Sequence, residues 1–505
     1  MRERPLRLKS ALKIFLATAF VTFAVGNVVS ANDIQLPELG SPADAILSKS
    51  TEAHIGRSIM RSIRMSGTIV EDPQINEYIN EIGHRLVAQA NDGDHRFTFF
   101  VVDDPRINAF ALPGGYIGVH TGLIEATRSE DELAGVLAHE VAHVTQRHIA
   151  RAIHSNSRQS LLSTALLLGA LVLGAAGGDS DMIQAGVAAS QGLSAQQSIN
   201  FTRSNEYEAD RIGISALAGA GFDPRGMASF FEVMARQDTR APNERVPEFL
   251  RTHPVTTARI SEARTRAREY PSVHSDDTTN YGIAKARVIV NDADTAQKAV
   301  EYFERKDYAL QSDYERYGRA IAYQRDGRHN DARHIFEDLI EADQKVIAYH
   351  IGLAQSELNG EDYPATRQTF ERALELFPRN VPLVIHYGEA LLRLGEPEKA
   401  HDILLDLLNN VPPTPDQVRL IARAANDAGD VAEALYYMSE YQIMTGDLIG
   451  SIGFLRRALA LPDLQEIQRI RFEARIDFIR GYLTEEQLRQ LQRARNAEAS
   501  ARNNG

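Results

Sequence analysis

The sequence of 505 residues contains no cysteine. This absence excludes disulfide bonds, catalysis by a thiolate and lipid attachment at a signal-peptide cysteine. The sequence also lacks a concentrated basic face, because its Lys and Arg residues are spread along a chain whose formal net charge is −13. Phosphate backbones attract concentrated positive charge, so we do not expect nucleic acid as a partner.

The N-terminal apolar run is too short for a membrane span. Basic residues precede about 12 apolar residues at 14–25, and Val29 and Ala31 have the spacing of a cleavage site. A span needs about 20 apolar residues. We therefore predict a secretory signal peptide over residues 1–31, cleaved after Ala31, with an uncleaved membrane anchor as the alternative. An exported chain without cysteine fits the periplasm of a Gram-negative bacterium.

The motif His139-Glu140-Val141-Ala142-His143 lies in a segment that is otherwise almost wholly apolar. Histidines four residues apart share one face of a helix, so His139 and His143 can bind one metal ion, with Glu140 near enough to act on a bound water. Buried ionisable groups need such a partner. The motif is the signature of zinc hydrolases. The alternative is a pair of helix histidines that bind no metal.

A catalytic zinc ion takes a third protein ligand and keeps one coordination position open. We predict that Glu206, at the start of a second helix, is this ligand. Asp210 lies four residues later on the same helix face, where it can accept a hydrogen bond from a ligand histidine. Glu208 faces elsewhere and is expected to be a solvated charge. The alternative interpretation leaves Glu206 and Asp210 as exposed acids.

His148 is the nearest further histidine, but its spacing argues against a metal ligand. It follows His139 by nine residues, which is about 180° around a continuous helix. The metzincin spacing would require histidine at position 149, where this chain has Ile149. We therefore expect His148 to be structural or to face the surface.

Three segments before the motif have the composition of strands. Residues 97–102 are the first, and residues 108–112 and 116–120 form a hairpin around Pro113-Gly114-Gly115. A strand edge beside a metal site can pair with the backbone of a peptide substrate. The predicted substrate strand consists of Asn108, Ala109, Phe110, Ala111 and Leu112. The alternative is an ordinary core hairpin.

In this order, the hairpin, the motif at 139–143 and the pair Glu206 and Asp210 resemble the gluzincin metallopeptidases that include HtpX and the CAAX prenyl endopeptidases. The resemblance implies an α+β zincin-type protease domain, mostly helical with a small sheet, that cleaves peptide bonds with one zinc ion. It implies His139, His143 and Glu206 as ligands and Glu140 as the general base. By ligand type alone, manganese or cobalt stays open.

The family also has a His-Pro pair after its glutamate ligand, to which His253-Pro254 is similar. The resemblance gives His253 two roles. It stabilises the oxyanion, or it occupies the open zinc position and holds the enzyme inactive until it is displaced. A histidine at a helix start without a catalytic role is the alternative.

A second apolar segment follows the motif. Residues 161–176 are almost entirely Leu, Ala, Val and Gly. As a helix they would reach roughly 24 Å, short of a hydrocarbon core of about 30 Å. We predict an apolar helical insertion over 155–200, in which residues 161–189 pack over the catalytic cleft or make peripheral contact with a membrane. A true membrane span is the alternative.

The C-terminal part repeats at a regular interval. Gly327, Gly360, Gly395 and Gly429 lie 33, 35 and 34 residues apart. This is the period of tetratricopeptide repeats, in which each helix-turn-helix unit stacks on its neighbour. We predict an all-α repeat solenoid after the protease domain, and the alternative is a helical domain with coincidental glycine spacing.

Composition changes along the chain give the predicted boundaries. The segments are a signal peptide (1–31), a zinc metalloprotease domain (32–275), a linker (276–290), a tetratricopeptide-repeat domain (291–485) and a disordered tail (486–505).

An exported gluzincin with such repeats resembles peptidases that act in the quality control and assembly of outer-membrane β-barrel proteins. The resemblance implies unfolded or misassembled outer-membrane proteins as substrates, and the β-barrel assembly machinery as the partner of the repeats. The competing hypothesis is a chaperone or scaffold of outer-membrane assembly that acts through its repeats and has latent protease activity. A concave repeat surface suits both functions.

Overall fold

The computed structural model describes residues 47–90, 96–155, 203–240, 247–273, 278–483, 487–489 and 491. A first part combines helices with one small sheet, and the elements described in the second part are helices. This confirms the predicted fold class. The helices of the first part are α1 (Lys49–Met65), α2 (Pro73–Val87), α3 (Thr121–Ala126), α4 (Glu130–Thr145), α5 (His148–Ser155), α6 (Arg203–Gly219), α7 (Arg225–Arg240), α8 (Glu248–Thr252), α9 (Thr257–Ala267) and α10 (Thr279–Asp292).

The sheet consists of β1 (Thr98–Val102), β2 (Ala109–Leu112) and β3 (Tyr116–His120). The central strand β3 pairs with β1 in parallel and with β2 in antiparallel orientation. Gly115 closes the hairpin at a φ of 84°. A Cβ there would lie 2.3 Å from the carbonyl oxygen of Arg96, so the turn requires glycine. The three predicted strands are confirmed, and β2 forms one edge of this sheet.

Helix α4 runs through the middle of the protease core. The Ser129 side chain caps it by accepting a hydrogen bond from Glu132 N, and the helix is buried from Glu132 to Val144. Two glycines allow α6 and α7 to approach α4 closely. A Cβ at Gly135 would lie 2.8 Å from Met227 N, and a Cβ at Gly213 would lie 3.1 Å from the carbonyl carbon of Ala138. This close packing brings the start of α6 beside the motif of α4.

The structure corrects the expected linker at 276–290, since helix α10 begins at Thr279. One face of α10 belongs to the protease core, with Tyr281 and Val288 buried there. The other face, with Ile283 and Val290, packs into the first repeats. The segment is therefore apolar on two helix faces and is buried by both parts, as a packed helix is and a linker is not.

The second part continues as a row of helices in which most neighbours along the chain pack together. They are α11 (Ala296–Glu304), α12 (Asp313–Arg325), α13 (His329–Ala342), α14 (Ile347–Asn359), α15 (Tyr363–Leu376), α16 (Val381–Arg393), α17 (Pro397–Asn410), α18 (Pro415–Asp427), α19 (Val431–Met444), α20 (Leu448–Leu459) and α21 (Glu466–Arg480), with a 3₁₀ turn at Tyr308–Leu310.

The regularly spaced glycines lie in the turns between paired helices. Gly327, Gly395 and Gly429 have φ values of 78°, 74° and 89°, a backbone region that glycine enters without steric cost. Gly360 differs, because its φ is −81° and the following Glu361 has the left-handed value of 63°. The predicted period is confirmed, although one glycine sits a residue before the left-handed position.

The repeats contact the protease along α1 and α2. Arg419 Nη2 donates a hydrogen bond to Glu71 at 2.9 Å, and Asn380 Nδ2 lies 3.4 Å from Glu77 Oε1. Arg61 Nη1 donates to the carbonyl oxygen of Gly446 at 3.3 Å. The repeats therefore contact the protease at several points beyond α10.

Several predictions concern segments outside the described residues. These are the signal peptide at 1–31 with its cleavage after Ala31, the apolar insertion at 155–200 apart from Ser155, and the tail at 486–505 apart from residues 487–489 and 491. Within the ranges that the structure describes, no helix is long and apolar enough to cross a membrane.

Candidate metal centre

Helix α4 presents both histidines of the motif towards one point. His139 and His143 are 0% and 1% exposed, and their Nε2 atoms lie 2.9 Å apart. Burial lowers the pKa of His143 well below its usual value, and the neighbouring His139 adds to this effect. The low pKa favours the neutral imidazole of His143, which is the form that binds metal ions.

Two further donors reach the same point from other elements. Glu206, near the start of α6, places Oε1 3.4 Å from His143 Nε2 and Oε2 3.6 Å from His139 Nε2. His253, which ends α8, places Nδ1 3.3 Å from His139 Nε2 and 3.2 Å from Glu206 Oε2. One donor atom from each of the four buried residues lies within 4.8 Å of all the others.

These distances fit a tetrahedral metal ion. Zinc binds nitrogen and carboxylate oxygen at about 2.0–2.1 Å, which places the ligand atoms of a tetrahedral site about 3.3 Å apart. Three imidazole nitrogens and one carboxylate are also the donor types that zinc prefers. The four donors can therefore hold a zinc-sized ion.

Charged groups behind the donors hold them in place. Asp210 Oδ1 lies 3.0 Å from His139 Nδ1, and Arg259 donates hydrogen bonds to both oxygens of Asp210 at 2.7 and 2.8 Å. Arg259 Nη1 also donates to Glu206 Oε2 at 2.8 Å. The buried guanidinium thus orients the two acids and balances part of their charge.

The electrostatics of this cluster favour charged carboxylates. Burial alone would raise the pKa of Glu206, but His253 and His139 outweigh it and hold that pKa well below the usual value. Hydrogen bonds from Arg259 and His139 likewise hold the pKa of Asp210 low against the effect of burial. Burial lowers the pKa of His139, whereas Asp210 and Glu206 together raise it to about 9.

Glu140 lies beside the donors, with one carboxylate oxygen close to His253. Its Oε1 is buried and makes no hydrogen bond within the described ranges. His253 Nε2 lies 3.5 Å from this oxygen. One ring therefore places Nδ1 among the donors and Nε2 beside Glu140.

His148 is buried beside His143 and does not face the surface. Its Nδ1 atom lies 2.8 Å from His143 Nδ1, and it is 0% exposed. The expectation of a continuous helix was wrong, because α4 ends at Thr145 and Arg147 takes a left-handed φ of 52°. Glu208, expected to be solvated, is 33% exposed and approaches His148 Nε2 at 3.3 Å. Burial lowers the pKa of His148 to about 4.

The predicted substrate strand lies against α4, the helix that carries His139 and His143 (the metal helix). Strand β2 packs on α4, and its residues Ala109 to Leu112 are almost fully buried. Asn108 accepts a hydrogen bond from His120 N through its carbonyl oxygen. The side-chain oxygen of Asn108 is buried and has no hydrogen-bond partner among the described residues.

Comparisons with known proteins place these donors in a peptidase family. The model of peptidase family M48 matches residues 73–267, which include all the donors, and a tetratricopeptide-repeat model matches residues 360–424. The β-barrel assembly-enhancing protease of Escherichia coli (strain K12) is 32% identical over 95% of this chain and 97% of its own length.

Two further relatives differ in how much of this chain they cover. A relative from Vibrio cholerae is 35% identical over 89% of this chain and 93% of its own length. A mitochondrial metalloendopeptidase of Schizosaccharomyces pombe is 32% identical, but it aligns with 36% of this chain and 50% of its own length. The similarity to the bacterial proteins therefore extends through the repeats.

Proposed function

The chain belongs to the family of the β-barrel assembly-enhancing proteases and is a metallopeptidase, and from this premise we propose its substrate, metal and control. The proposed substrates are unfolded or misassembled outer-membrane β-barrel proteins in the periplasm. The proposed metal is a single zinc ion. The observation that carries the proposal is the buried cluster of His139, His143, Glu206 and His253.

We propose that His139, His143 and Glu206 hold the zinc ion during catalysis. When bound, zinc polarises the scissile carbonyl and lowers the pKa of a water in its open position to about 7. Asp210 fixes the tautomer of His139 by accepting its Nδ1–H. Arg259 holds Asp210 and Glu206 in their positions.

Glu140 is the proposed general base. Its buried oxygen is free of hydrogen bonds in the described part of the chain, so it can accept a proton from the attacking water and later donate it to the leaving amine nitrogen. The substrate backbone would lie along Asn108, Ala109, Phe110, Ala111 and Leu112, because β2 is the sheet edge that packs on the metal helix.

His253 is the proposed gate. With Nδ1 among the donors and Nε2 towards Glu140, its ring blocks both the fourth coordination position and the base. A role in stabilising the oxyanion would require the ring to leave the donor cluster first. The ring belongs to the short connection between α8 and α9, so movement of that connection would open the site.

The gate is tested by His253→Ala. Removing the ring opens the fourth position and frees Glu140, so cleavage of an unfolded outer-membrane β-barrel protein should become several-fold faster. The rate is measured with purified full-length protein at saturating zinc. Slower cleavage by the variant would contradict the gate and support a role of His253 in the chemistry.

The closed site also favours a second function. With His253 among the donors, the protein can engage partners through its repeats without cutting them, as a chaperone or scaffold that binds the β-barrel assembly machinery. Glu140→Gln separates the two functions, because it keeps the proposed zinc ligands and removes the base.

We expect Glu140→Gln to retain zinc and to lose cleavage. In a strain that lacks the protein, this variant should leave the envelope defect uncorrected if proteolysis is the main function. Full correction by the variant would refute that function and support the scaffold. N-terminal sequencing of the exported protein tests the proposed cleavage after Ala31.

A further inference from the structure

The two histidines of α4 have different partners on their outer nitrogens. His139 Nδ1 faces a carboxylate, Asp210, at 3.0 Å. His143 Nδ1 faces another imidazole nitrogen, Nδ1 of His148, at 2.8 Å. A carboxylate accepts a hydrogen bond from any histidine N–H, but two imidazole nitrogens form a hydrogen bond only when one carries the proton and the other does not.

The donor cluster decides which nitrogen carries the proton. His143 turns Nε2 towards the cluster, 2.9 Å from His139 Nε2 and 3.4 Å from Glu206 Oε1. A neutral imidazole that binds metal through Nε2 carries its proton on Nδ1. His143 must therefore donate to His148 Nδ1.

The same reasoning continues outwards to the surface. Because His148 Nδ1 accepts, the proton of this ring is on Nε2, which lies 3.3 Å from Glu208 Oε2. The same oxygen of Glu208 accepts a hydrogen bond from Arg151 Nη1 at 2.9 Å. The hydrogen bonds from His143 to His148 and from His148 to Glu208 thus each have one allowed direction.

The backbone places His148 for this contact. Arg147 has a φ of 52°, a region that few residues other than glycine occupy. Its side chain donates hydrogen bonds to the carbonyl oxygen of Leu47 at 2.7 Å and to Glu52 Oε1 at 3.0 Å. The turn brings His148 back against His143, where a continuous helix would carry it to the far side.

We propose that His148 is a positioning residue for the metal, which fixes the ring and tautomer of His143, and that Glu208 fixes the tautomer of His148 from the surface. The inference rests on the proposed metal site, because it needs His143 to be a ligand. Outer hydrogen-bond partners of ligand histidines set metal affinity. His148 and Glu208 should therefore control how tightly zinc is held, without touching substrate.

The test measures the zinc dissociation constant of the full-length chain by competition with a chromophoric chelator. His148→Leu removes the acceptor and should weaken zinc binding about 10- to 100-fold. His148→Asn offers a side-chain oxygen near the position of Nδ1 and should restore most of the affinity. Glu208→Ala should weaken binding in the same direction, by less than His148→Leu.

Glu262→Ala is the matched control. Glu262 is 29% exposed, close to the 33% of Glu208, and it also accepts a hydrogen bond from an arginine, Arg211. It lies on α9, where it pairs with Arg211 and Arg266, so its loss should leave zinc affinity unchanged. A loss equal to that of Glu208→Ala would mean that the effect is one of general surface charge, which would overturn the inference.

The inference is also overturned if His148→Leu binds zinc as tightly as the wild type, or if His148→Asn is as weak as His148→Leu while both keep the wild-type circular dichroism. If His148→Leu does not fold, Glu208→Ala decides the question. Unchanged zinc affinity in that variant refutes the proposed positioning of His143 through His148 and Glu208. A wild-type chain that binds no zinc refutes the proposed metal site itself, whereas the other outcomes leave that site standing.

Discussion

The metal centre and the repeat helices differ in what they bury. In the metal centre, Glu206 and Asp210 are 3% and 4% exposed, and each lies within 2.8 Å of Arg259. The first helices of successive repeats instead bury large aromatic side chains, which are Tyr317, Tyr349 and Tyr387. Buried charge is costly when one partner is lost, whereas apolar packing depends on volume. Zinc binding at the centre should therefore depend on single charged groups. The stability of the repeats should depend on the volume of their buried side chains.

Buried charge appears again where the two regions meet. Arg287 Nε donates to Asp72 Oδ2 at 2.7 Å, and its Nη1 donates to Tyr317 Oη at 2.8 Å. Burial would raise the pKa of Asp72, but Arg287 holds it below its usual value. Both regions bury the helix that carries Arg287, and they share this cluster. The repeats and the protease are therefore packed against each other.

Glu206→Ala should produce the largest effect, because it removes a proposed ligand and an anion that faces Arg259. Zinc affinity should fall by more than about 100-fold, since the loss of an outer partner alone costs about 10- to 100-fold. The folded repeats should be unaffected. Zinc content after dialysis measures the outcome, and stoichiometric zinc in the variant would refute Glu206 as the ligand.

Glu232→Ala is the control for this variant. Glu232 is 28% exposed and is paired with Arg264 at 2.6 Å, so it tests the loss of an acid from the same domain outside the centre. Its zinc content should equal that of the wild type. A comparable loss of zinc would show that metal binding responds to the general charge of the domain.

Much of the centre follows from sequence because spacing on a helix sets geometry. His139 and His143 meet because they lie four residues apart on α4, and Asp210 reaches His139 because it lies four residues after Glu206 on α6. Arg259 could not be predicted in this way. It lies on a third helix, and only the packing of α9 against α6 brings its side chain to the two acids.

His148 shows a second limit of sequence reasoning. Its predicted position assumed that α4 continues past Thr145, but the helix ends there and the left-handed residue Arg147 separates it from α5. Left-handed arginine has no strong sequence signal, since glycine and asparagine are the residues that mark such turns. The expected linker failed for a related reason, because the buried faces of α10 depend on neighbours that are distant in sequence.

Phe370→Ala tests whether the repeats depend on volume. Phe370 is 0% exposed on α15, and its ring stacks on that of Tyr387 at 5.0 Å. Truncation should lower the free energy of unfolding by about 3–5 kcal/mol, with zinc affinity unchanged because the side chain packs in a core separate from that of α4. Urea unfolding and chelator competition measure the two quantities.

Phe478→Ala is the matched control, because Phe478 is 53% exposed on α21. It should change the free energy of unfolding by less than about 0.5 kcal/mol. If Phe370→Ala weakened zinc binding together with stability, the distinction between a charge-dependent centre and volume-dependent repeats would not hold.

Glu77→Gln should have the smallest effect and tests the contact between the two regions. Burial against the repeats raises the pKa of Glu77 from 4.5 to about 7, so between these pH values the folded chain keeps a proton that the unfolded chain has lost. Stability therefore falls as pH rises through this window. Glutamine has no proton to lose, so the variant lacks this fall in stability. Its free energy of unfolding relative to the wild type should therefore be higher at pH 8 than at pH 5, by on the order of 1 kcal/mol because Glu77 is partly exposed. Urea unfolding at pH 5 and pH 8 measures this difference, and the exposed Glu473→Gln is the control. An equal gain in the control, or no gain in Glu77→Gln, would mean that the protonation of Glu77 at this contact does not set the pH dependence of stability.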